Sequence, residues 1–267
     1  MKFARINGTT LHYRDHPVSG TPTIIFVNSL GTDLRIWSAV EQLLAEDYGI
    51  VLYDKRGHGL SELGDAPHEI ETYAADLAGL LDHLRIESII VCGLSIGGLI
   101  AQCLYGTRPK LIDGLILCDT AAKIGTSDMW NGRITAASSK GIESFADGVM
   151  EKWFTPDFHK NHSEELAGYR TMLVRQSSAG YAAACAAIRD ADLRADTASI
   201  DVPTLCIVGD QDGSTPPEFV EAFARSIPGA RFEVIAEAGH IPCVEQPEKL
   251  ADLICEFMGE DMRRRTR

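Results

Sequence analysis

Short apolar runs alternate with helical stripes along this chain, and that alternation limits the fold more than any other feature. Residues 23–27, 50–53, 88–92 and 114–118 are continuous runs of four or five residues, rich in Ile and Val. Runs of this length suit strands covered on both faces, as in a parallel sheet. Between them Ile36, Val40, Leu43 and Leu44 recur at helical spacing, as do Ile70, Tyr73, Leu77, Leu80, Leu81 and Leu84. A further helix is expected from Ile96 to about Tyr105, and a hairpin at the start, where residues 3–6 and 10–14 flank the turn pair Asn7-Gly8. Strand–helix–strand repetition predicts an α/β fold: a mostly parallel sheet flanked by helices on both faces.

The rhythm stops after Asp119. Residues 123–195 hold no buried-strand run, only helical material at 129–139, 142–154, 163–175 and 181–190. Alternation then resumes with strands at 204–208 and 231–235 and helices at 216–226 and 247–258. The expected organisation is an α/β core, residues 1–122 and 196–267, interrupted by a helical cap at 123–195. The closing Arg263-Arg264-Arg265-Thr266-Arg267 reads as a frayed, solvated tail.

Charge excludes one broad class of partner. The 25 Lys and Arg face 38 Asp and Glu, a net charge of −13, and a field of that sign repels phosphate backbones, so no nucleic acid is expected as partner. The cap balances nine basic against nine acidic residues, which leaves the whole excess on the core. No apolar run is long enough to span a membrane, and the first residues lack the pattern of a secretion signal. The seven scattered cysteines suit buried thiols in a reducing cytoplasm rather than a disulfide frame.

The strongest chemical signal is Gly93-Leu94-Ser95-Ile96-Gly97-Gly98, where a strand ends and a helix begins. A serine there sits on a tight, strained bend that needs small neighbours, and the helix N-terminus aims its N–H groups at charge developing on an attacked carbonyl. A serine nucleophile needs a base, and the base an orienting carboxylate. His240 follows the strand at 231–235, on the same sheet edge as Ser95. His58 is the rival, in a glycine-rich loop; His159 and His162 read as solvent-exposed. For the acid, Asp210 and Asp212 share the loop after the strand at 204–208. Asp212 lies further out toward the cleft and is the expected partner, with Asp210 a turn stabiliser and Asp119 a third candidate. The order Ser95, Asp212, His240 is the serine, acid, histidine order of the α/β-hydrolases.

Further stretches carry a resemblance: Asn28-Ser29-Leu30-Gly31-Thr32-Asp33 with Trp37, Tyr53-Asp54-Lys55-Arg56-Gly57-His58-Gly59-Leu60-Ser61, Asp119-Thr120-Ala121-Ala122-Lys123-Ile124-Gly125, Trp153-Phe154-Thr155, and Gly180-Tyr181 with Ala187-Ile188-Arg189-Asp190. With the Ser95 stretch, they make the chain resemble the α/β-hydrolases throughout, and within them the 3-oxoadipate enol-lactonases. Many members carry His-Gly where this chain has Asn28-Ser29, a change the enol-lactonases share. The resemblance implies an oxyanion hole made by the backbone N–H groups of Leu30 and Ile96. It implies hydrolysis of a small anionic enol lactone to 3-oxoadipate in aromatic-compound degradation, through an acyl-enzyme, with neither metal nor organic cofactor. Self-association as a homo-oligomer is left open.

In the cap, Trp130 and Arg133 are three apart and stack on one helix face. Arg133 is expected to grip the substrate carboxylate by a two-pronged hydrogen bond, with Trp130 walling the ring. The competing reading makes Trp130 cap core and Arg133 a solvated face residue. Trp153 and Phe154 read as cap core, with Trp153 placed at the pocket wall. A carboxylesterase, a carbon–carbon hydrolase or a perhydrolase could use the same triad, and a non-catalytic receptor on this fold is the rival of another class. Dehalogenases and epoxide hydrolases of this fold carry Asp at the Ser95 position.

Overall fold

The computed structural model describes residues 1–66 and 68–261, without the side chains of residues 260 and 261; the basic tail at 263–267 lies outside the described residues. Eight strands form one sheet: β1 (Lys2–Ile6), β2 (Thr9–His16), β3 (Thr23–Val27), β4 (Gly49–Tyr53), β5 (Ile89–Leu94), β6 (Ile112–Cys118), β7 (Thr204–Gly209) and β8 (Arg231–Ile235). Asn7 and Gly8 take positive φ, 47° and 79°, the pair a type I′ hairpin turn requires, and they join β1 to β2 antiparallel. The order is β1–β2–β4–β3–β5–β6–β7–β8. β2 meets β4 antiparallel, and every later pairing is parallel. Every residue of β4, β5 and β7 is buried, which is why their sequence runs are apolar without alternation.

The helices of the sheet are α1 (Ser38–Leu44), α2 (Ile70–Leu84) and α3 (Ile96–Thr107). Five more follow between β6 and β7: α4 (Ser127–Lys140), α5 (Ala146–Trp153), α6 (Pro156–Asn161), α7 (Ser163–Val174) and α8 (Ser178–Asp190). α9 (Pro217–Ala224), α10 (Pro242–Glu245) and α11 (Pro247–Glu256) complete the set. Crossovers between parallel strands are right-handed. The crossover β3–α1–β4 runs one way along the sheet and β4–α2–β5 the other, so α1 and α2 lie on opposite faces. α3 packs on α2, and α11 on α1. The apolar stripe of α2 (Ile70, Tyr73, Leu77, Leu80, Leu81) is buried as its spacing demands.

Three helical segments differ from the sequence expectation, one being the four-residue α10, which the sequence reading lacks. Residues 142–154 are not one helix: a 3₁₀ turn, Ile142–Phe145, precedes α5, and Phe145 leaves helical geometry at φ −133°, its ring 5.6 Å from that of Tyr181. Packing of one aromatic ring has overridden local propensity. The six-residue α6 has no counterpart in the sequence reading. It starts on Pro156, with the Thr155 hydroxyl accepting from Phe158 N, and is too short for a periodic stripe.

The reversal of direction places the site. β3 and β5 are neighbours, Val27 opposite Gly93, yet the chain leaves β3 toward one face and β5 toward the other. The loops therefore splay apart above the carboxyl ends of these two strands, and a crevice opens there.

Candidate active site

Ser95 stands at the end of β5 with φ 58° and ψ −117°, a conformation rarely taken by a non-glycine residue. Its backbone is fixed on all sides: Ser95 N donates to Cys118 O at 2.9 Å, and Ser95 O accepts from Gly98 N at 2.9 Å and the Thr120 hydroxyl at 2.7 Å. A Cβ at Gly97 would stand closer than 3.0 Å to the Val27 carbonyl, and one at Gly93 equally close to the Gly97 carbonyl. The bend is possible only because those side chains are missing.

β8 and its following loop deliver His240. Its Nδ1 lies 2.9 Å from Asp212 Oδ2, and its own N–H donates to the Trp153 carbonyl at 2.9 Å. Of the three acids weighed in the sequence, Asp212 is the one bonded to the imidazole. Asp210 is exposed and accepts from Ala238 N at 3.2 Å. Asp212 is buried and also accepts from Ser214 N (2.7 Å), Thr215 N (3.0 Å) and the Thr215 hydroxyl (2.5 Å). Burial pushes its carboxyl up, but His240 and these donors outweigh it and hold Asp212 below the usual carboxylate range.

Asp119 comes from the neighbouring end of β6 and accepts from Gly209 N at 2.9 Å through Oδ1, while its buried Oδ2 has no partner. Burial and the Asp212 charge push its carboxyl well above the usual range. Ligand atoms of Asp119, Asp212 and His240 lie within 4.8 Å of one another, a spacing that could suit a metal ion. Both Asp212 oxygens and His240 Nδ1 are, however, already consumed by hydrogen bonds within the protein.

A cavity of about 120 Å³ joins the parts. Ser29, Leu30, Ser95 and His240 line it from the sheet side; Met129, Trp130, Arg133, Lys152, Trp153 and Tyr181 line it from the helices between β6 and β7. Among the described residues the Ser95 hydroxyl makes no hydrogen bond, to His240 or otherwise, and neither Leu30 N–H nor Ile96 N–H has an acceptor. A larger open groove beside Arg85, Arg108 and Lys110 is lined by no serine, cysteine or histidine.

The Leu30 loop is tied down from below. The Asn28 amide donates to the Thr32 carbonyl, and the Thr32 hydroxyl donates to the Ser29 carbonyl at 2.9 Å. The Lys55 ammonium donates to the same carbonyl at 2.6 Å and to that of Asn28 at 3.2 Å. His58 is the anchor of Gly31, whose N–H donates to its Nε2 at 3.1 Å. Burial, then the charge of Lys55, push the His58 imidazole well below its usual range, so it stays neutral.

On the opposite wall Arg133 donates to the Tyr181 hydroxyl at 3.1 Å and stands 4.7 Å over the Phe145 ring. Trp130 donates to the Ile124 carbonyl at 2.7 Å, and Trp153 is buried. Arg189 pairs with Asp190 at 2.7 Å. His162 is exposed beside Glu165 at 2.9 Å, whereas His159 is half-buried, bonded to the Met150 carbonyl at 3.1 Å. Lys55, Thr215, Tyr181 and Lys152 were invisible as site residues in the sequence. Glu245 was too: it accepts from Thr155 N at 2.9 Å and Gly239 N at 2.7 Å and so braces the His240 loop. The Asp-Lys-Arg-Gly-His stretch was the one available pointer to Lys55.

Comparison with known proteins agrees with this architecture. The family model described as the alpha/beta hydrolase fold matches residues 22–247. 3-oxoadipate enol-lactonase 2 of Acinetobacter baylyi is 35% identical over 238 residues, 89% of each chain. The enol-lactonase from Burkholderia xenovorans LB400 superposes with a TM-score of 0.94 at 37% identity, over 97% of this chain and 100% of that one. A thermophilic esterase from Thermogutta terrifontis, solved with malate bound, gives 0.92 at 30% identity, over 98% and 100%. The chain belongs to the α/β-hydrolase-fold family of enzymes, and within it resembles the 3-oxoadipate enol-lactonases.

Proposed function

We propose that this protein is a serine hydrolase that opens the ring of a small anionic enol lactone, 3-oxoadipate enol-lactone, in the degradation of aromatic compounds. The observation that carries this reading is one cavity lined by Ser95, Leu30, Arg133 and His240, with Asp212 bonded to the His240 imidazole behind it and the Leu30 N–H without an acceptor among the described residues. In this reading residues 123–195 are the cap and supply the cation. His240 Nε2 takes the proton of Ser95 as Oγ attacks the ring carbonyl, and Asp212 steadies the imidazolium. The N–H groups of Leu30 and Ile96 hold the oxyanion, each worth about 3–4 kcal/mol. Collapse breaks the ring C–O bond. The bonding electron pair leaves on the ring oxygen as a stabilised enolate, which takes up the proton His240 holds and becomes a ketone, returning the imidazole to its neutral form. Water then attacks the acyl-enzyme with His240 as base, and the proton returns to Ser95 as the carboxylate leaves. The free thiols support placement in a reducing cytoplasm.

Ser95→Ala should lose on the order of 10⁶-fold in turnover of the lactone. Near-normal turnover by that variant removes the serine from the reaction. The likeness to the Thermogutta esterase supports a second reading as a carboxylesterase, in which p-nitrophenyl acetate turns over and the lactone does not.

A further inference from the structure

Lys55 follows β4, is 1% exposed, and has no carboxylate within ion-pair distance among the described residues. An ammonium stripped of water is retained in a protein interior only where its surroundings replace the lost hydration. Here the replacement consists of two backbone carbonyls, Ser29 at 2.6 Å and Asn28 at 3.2 Å. The nearer one is not an arbitrary carbonyl. Ser29 C=O and Leu30 N–H are the two ends of one planar, conjugated peptide unit. A cation on that oxygen draws electron density across the C–N bond and polarises the N–H at the other end. It also fixes the plane, and with it the direction of the N–H. The next amide, Gly31 N–H, is turned away to His58. Leu30 N–H is left without an acceptor among the described residues, in a residue that borders the same cavity as Ser95.

We propose that Lys55 is a positioning residue for the oxyanion hole, aiming the Leu30 N–H into the cavity and strengthening it as a donor through the Ser29–Leu30 peptide. The inference rests on the serine-hydrolase reading above, in which Leu30 N–H meets the oxyanion. The groups around Lys55 bear this out as a tuned site. Burial pushes its ammonium down to about 7, against the pull of Asp54 and Asp33, which face it and favour the charge. His58 is neutral, with the proton on Nδ1 facing the Arg56 carbonyl, and the Arg56 guanidinium is taken up by Asp76 at 2.6 Å.

The test combines kinetics with an observation on the amide itself. Lys55→Met, Lys55→Gln, Ser95→Ala and wild type are compared with p-nitrophenyl acetate, with a small phosphonate ester that labels a reactive serine, and by amide NMR of protein carrying ¹⁵N-leucine. Removing a whole oxyanion donor costs roughly 10²–10³-fold, so weakening one by losing its charge should lower kcat about tenfold. KM should stay within about threefold, with Lys55→Gln, a neutral donor, between Lys55→Met and wild type. In wild type the Leu30 amide proton should shift with a midpoint near 7, and in Lys55→Met it should not titrate. A kcat for Lys55→Met near that of wild type, with full phosphonate labelling, overturns the proposal, as does a Leu30 amide that ignores pH in wild type. Should Lys55→Met lack a cooperative melt, the wild-type titration decides. Wild type that the phosphonate fails to label, or Ser95→Ala that still turns over, instead sinks the serine-hydrolase reading.

Discussion

Replacing Arg133 with Leu separates substrate recognition from chemistry. Among the described residues the guanidinium has two partners, the Tyr181 hydroxyl at 3.1 Å and the Phe145 ring at 4.7 Å. Losing them costs about 0.5–1 kcal/mol for the cation–π contact and about 0.5–1.5 kcal/mol for the hydrogen bond. Each kcal/mol corresponds to roughly 2–4 °C in a chain of this size, so Tm should fall by about 2–10 °C. The effect on substrate is larger. A hydrogen bond to a carboxylate contributes about 1.5–3 kcal/mol, or roughly 10- to 150-fold in kcat/KM at about 1.4 kcal/mol per decade. The anionic enol lactone should lose that factor, while neutral p-nitrophenyl acetate should change less than about threefold, because it offers Arg133 no charge. Steady-state kinetics on both substrates, at low and high salt, give the ratio. Equal losses on the two, or none on the lactone, refute the assignment. Lys152 also lines the cavity and makes no hydrogen bond or ion pair among the described residues. A lactone-selective loss in Lys152→Ala but not in Arg133→Leu would move the carboxylate to that wall.

Two further outcomes follow from the buried geometry. Asp119 is raised well above its unfolded value by burial first and Asp212 second, so its contribution to stability is full below the ordinary aspartate range and is lost as pH rises through the folded value. Asp119→Asn keeps an acceptor for Gly209 N, and its Tm should gain on wild type as pH rises above the ordinary aspartate range; a gap of constant size contradicts a raised Asp119 carboxyl. Gly97→Ala drives a Cβ into the Val27 carbonyl, overpacking that typically costs about 1–3 kcal/mol. Calorimetry should show Tm down by about 2–12 °C, and phosphonate labelling of Ser95 should slow, because the elbow must shift; an unchanged melt and labelling rate rejects the steric argument.

What was legible in the sequence is what repeats or stands at a strand end. The apolar runs of β3 to β7 reveal themselves because a strand buried on both faces has no polar residue to spare. Ser95 is legible because the bend needs Gly93 and Gly97, and those glycines leave a mark in the chain. Lys55 leaves only its place in the Asp-Lys-Arg-Gly-His stretch: a lysine in a polar, glycine-rich loop ordinarily points to water, and only the folded positions of Asn28 and Ser29 reveal two carbonyls waiting for it. The same holds for Tyr181, which reads as one aromatic on an apolar stripe until Arg133 arrives from α4. Asp212 and Asp210 differ by two positions in one loop. Their separation into a buried partner of His240 and an exposed turn residue depends on how that loop folds over Thr215.

Backbone strain is distributed in a way that supports the same site. Five non-glycine residues among those described have positive φ. Asn7 serves the first hairpin, and Arg85 ends α2 in the left-handed conformation usual for a helix C-terminus. The other three, Ser95 (58°), Asp119 (47°) and Glu237 (60°), follow β5, β6 and β8 at their carboxyl ends. Each costs roughly 1–2 kcal/mol relative to a relaxed backbone. Cost of that size persists only where surrounding bonds over-determine the conformation. Here Ser95 O is held by Thr120 and Gly98, and Asp119 N donates to the Ile207 carbonyl at 2.8 Å. β7 thus steadies the turn that ends β6, and β6 in turn accepts the Ser95 N–H through Cys118. A mutation that loosens β7, far from the cavity, should reach the nucleophile by that chain of strand ends before it reaches any substrate contact.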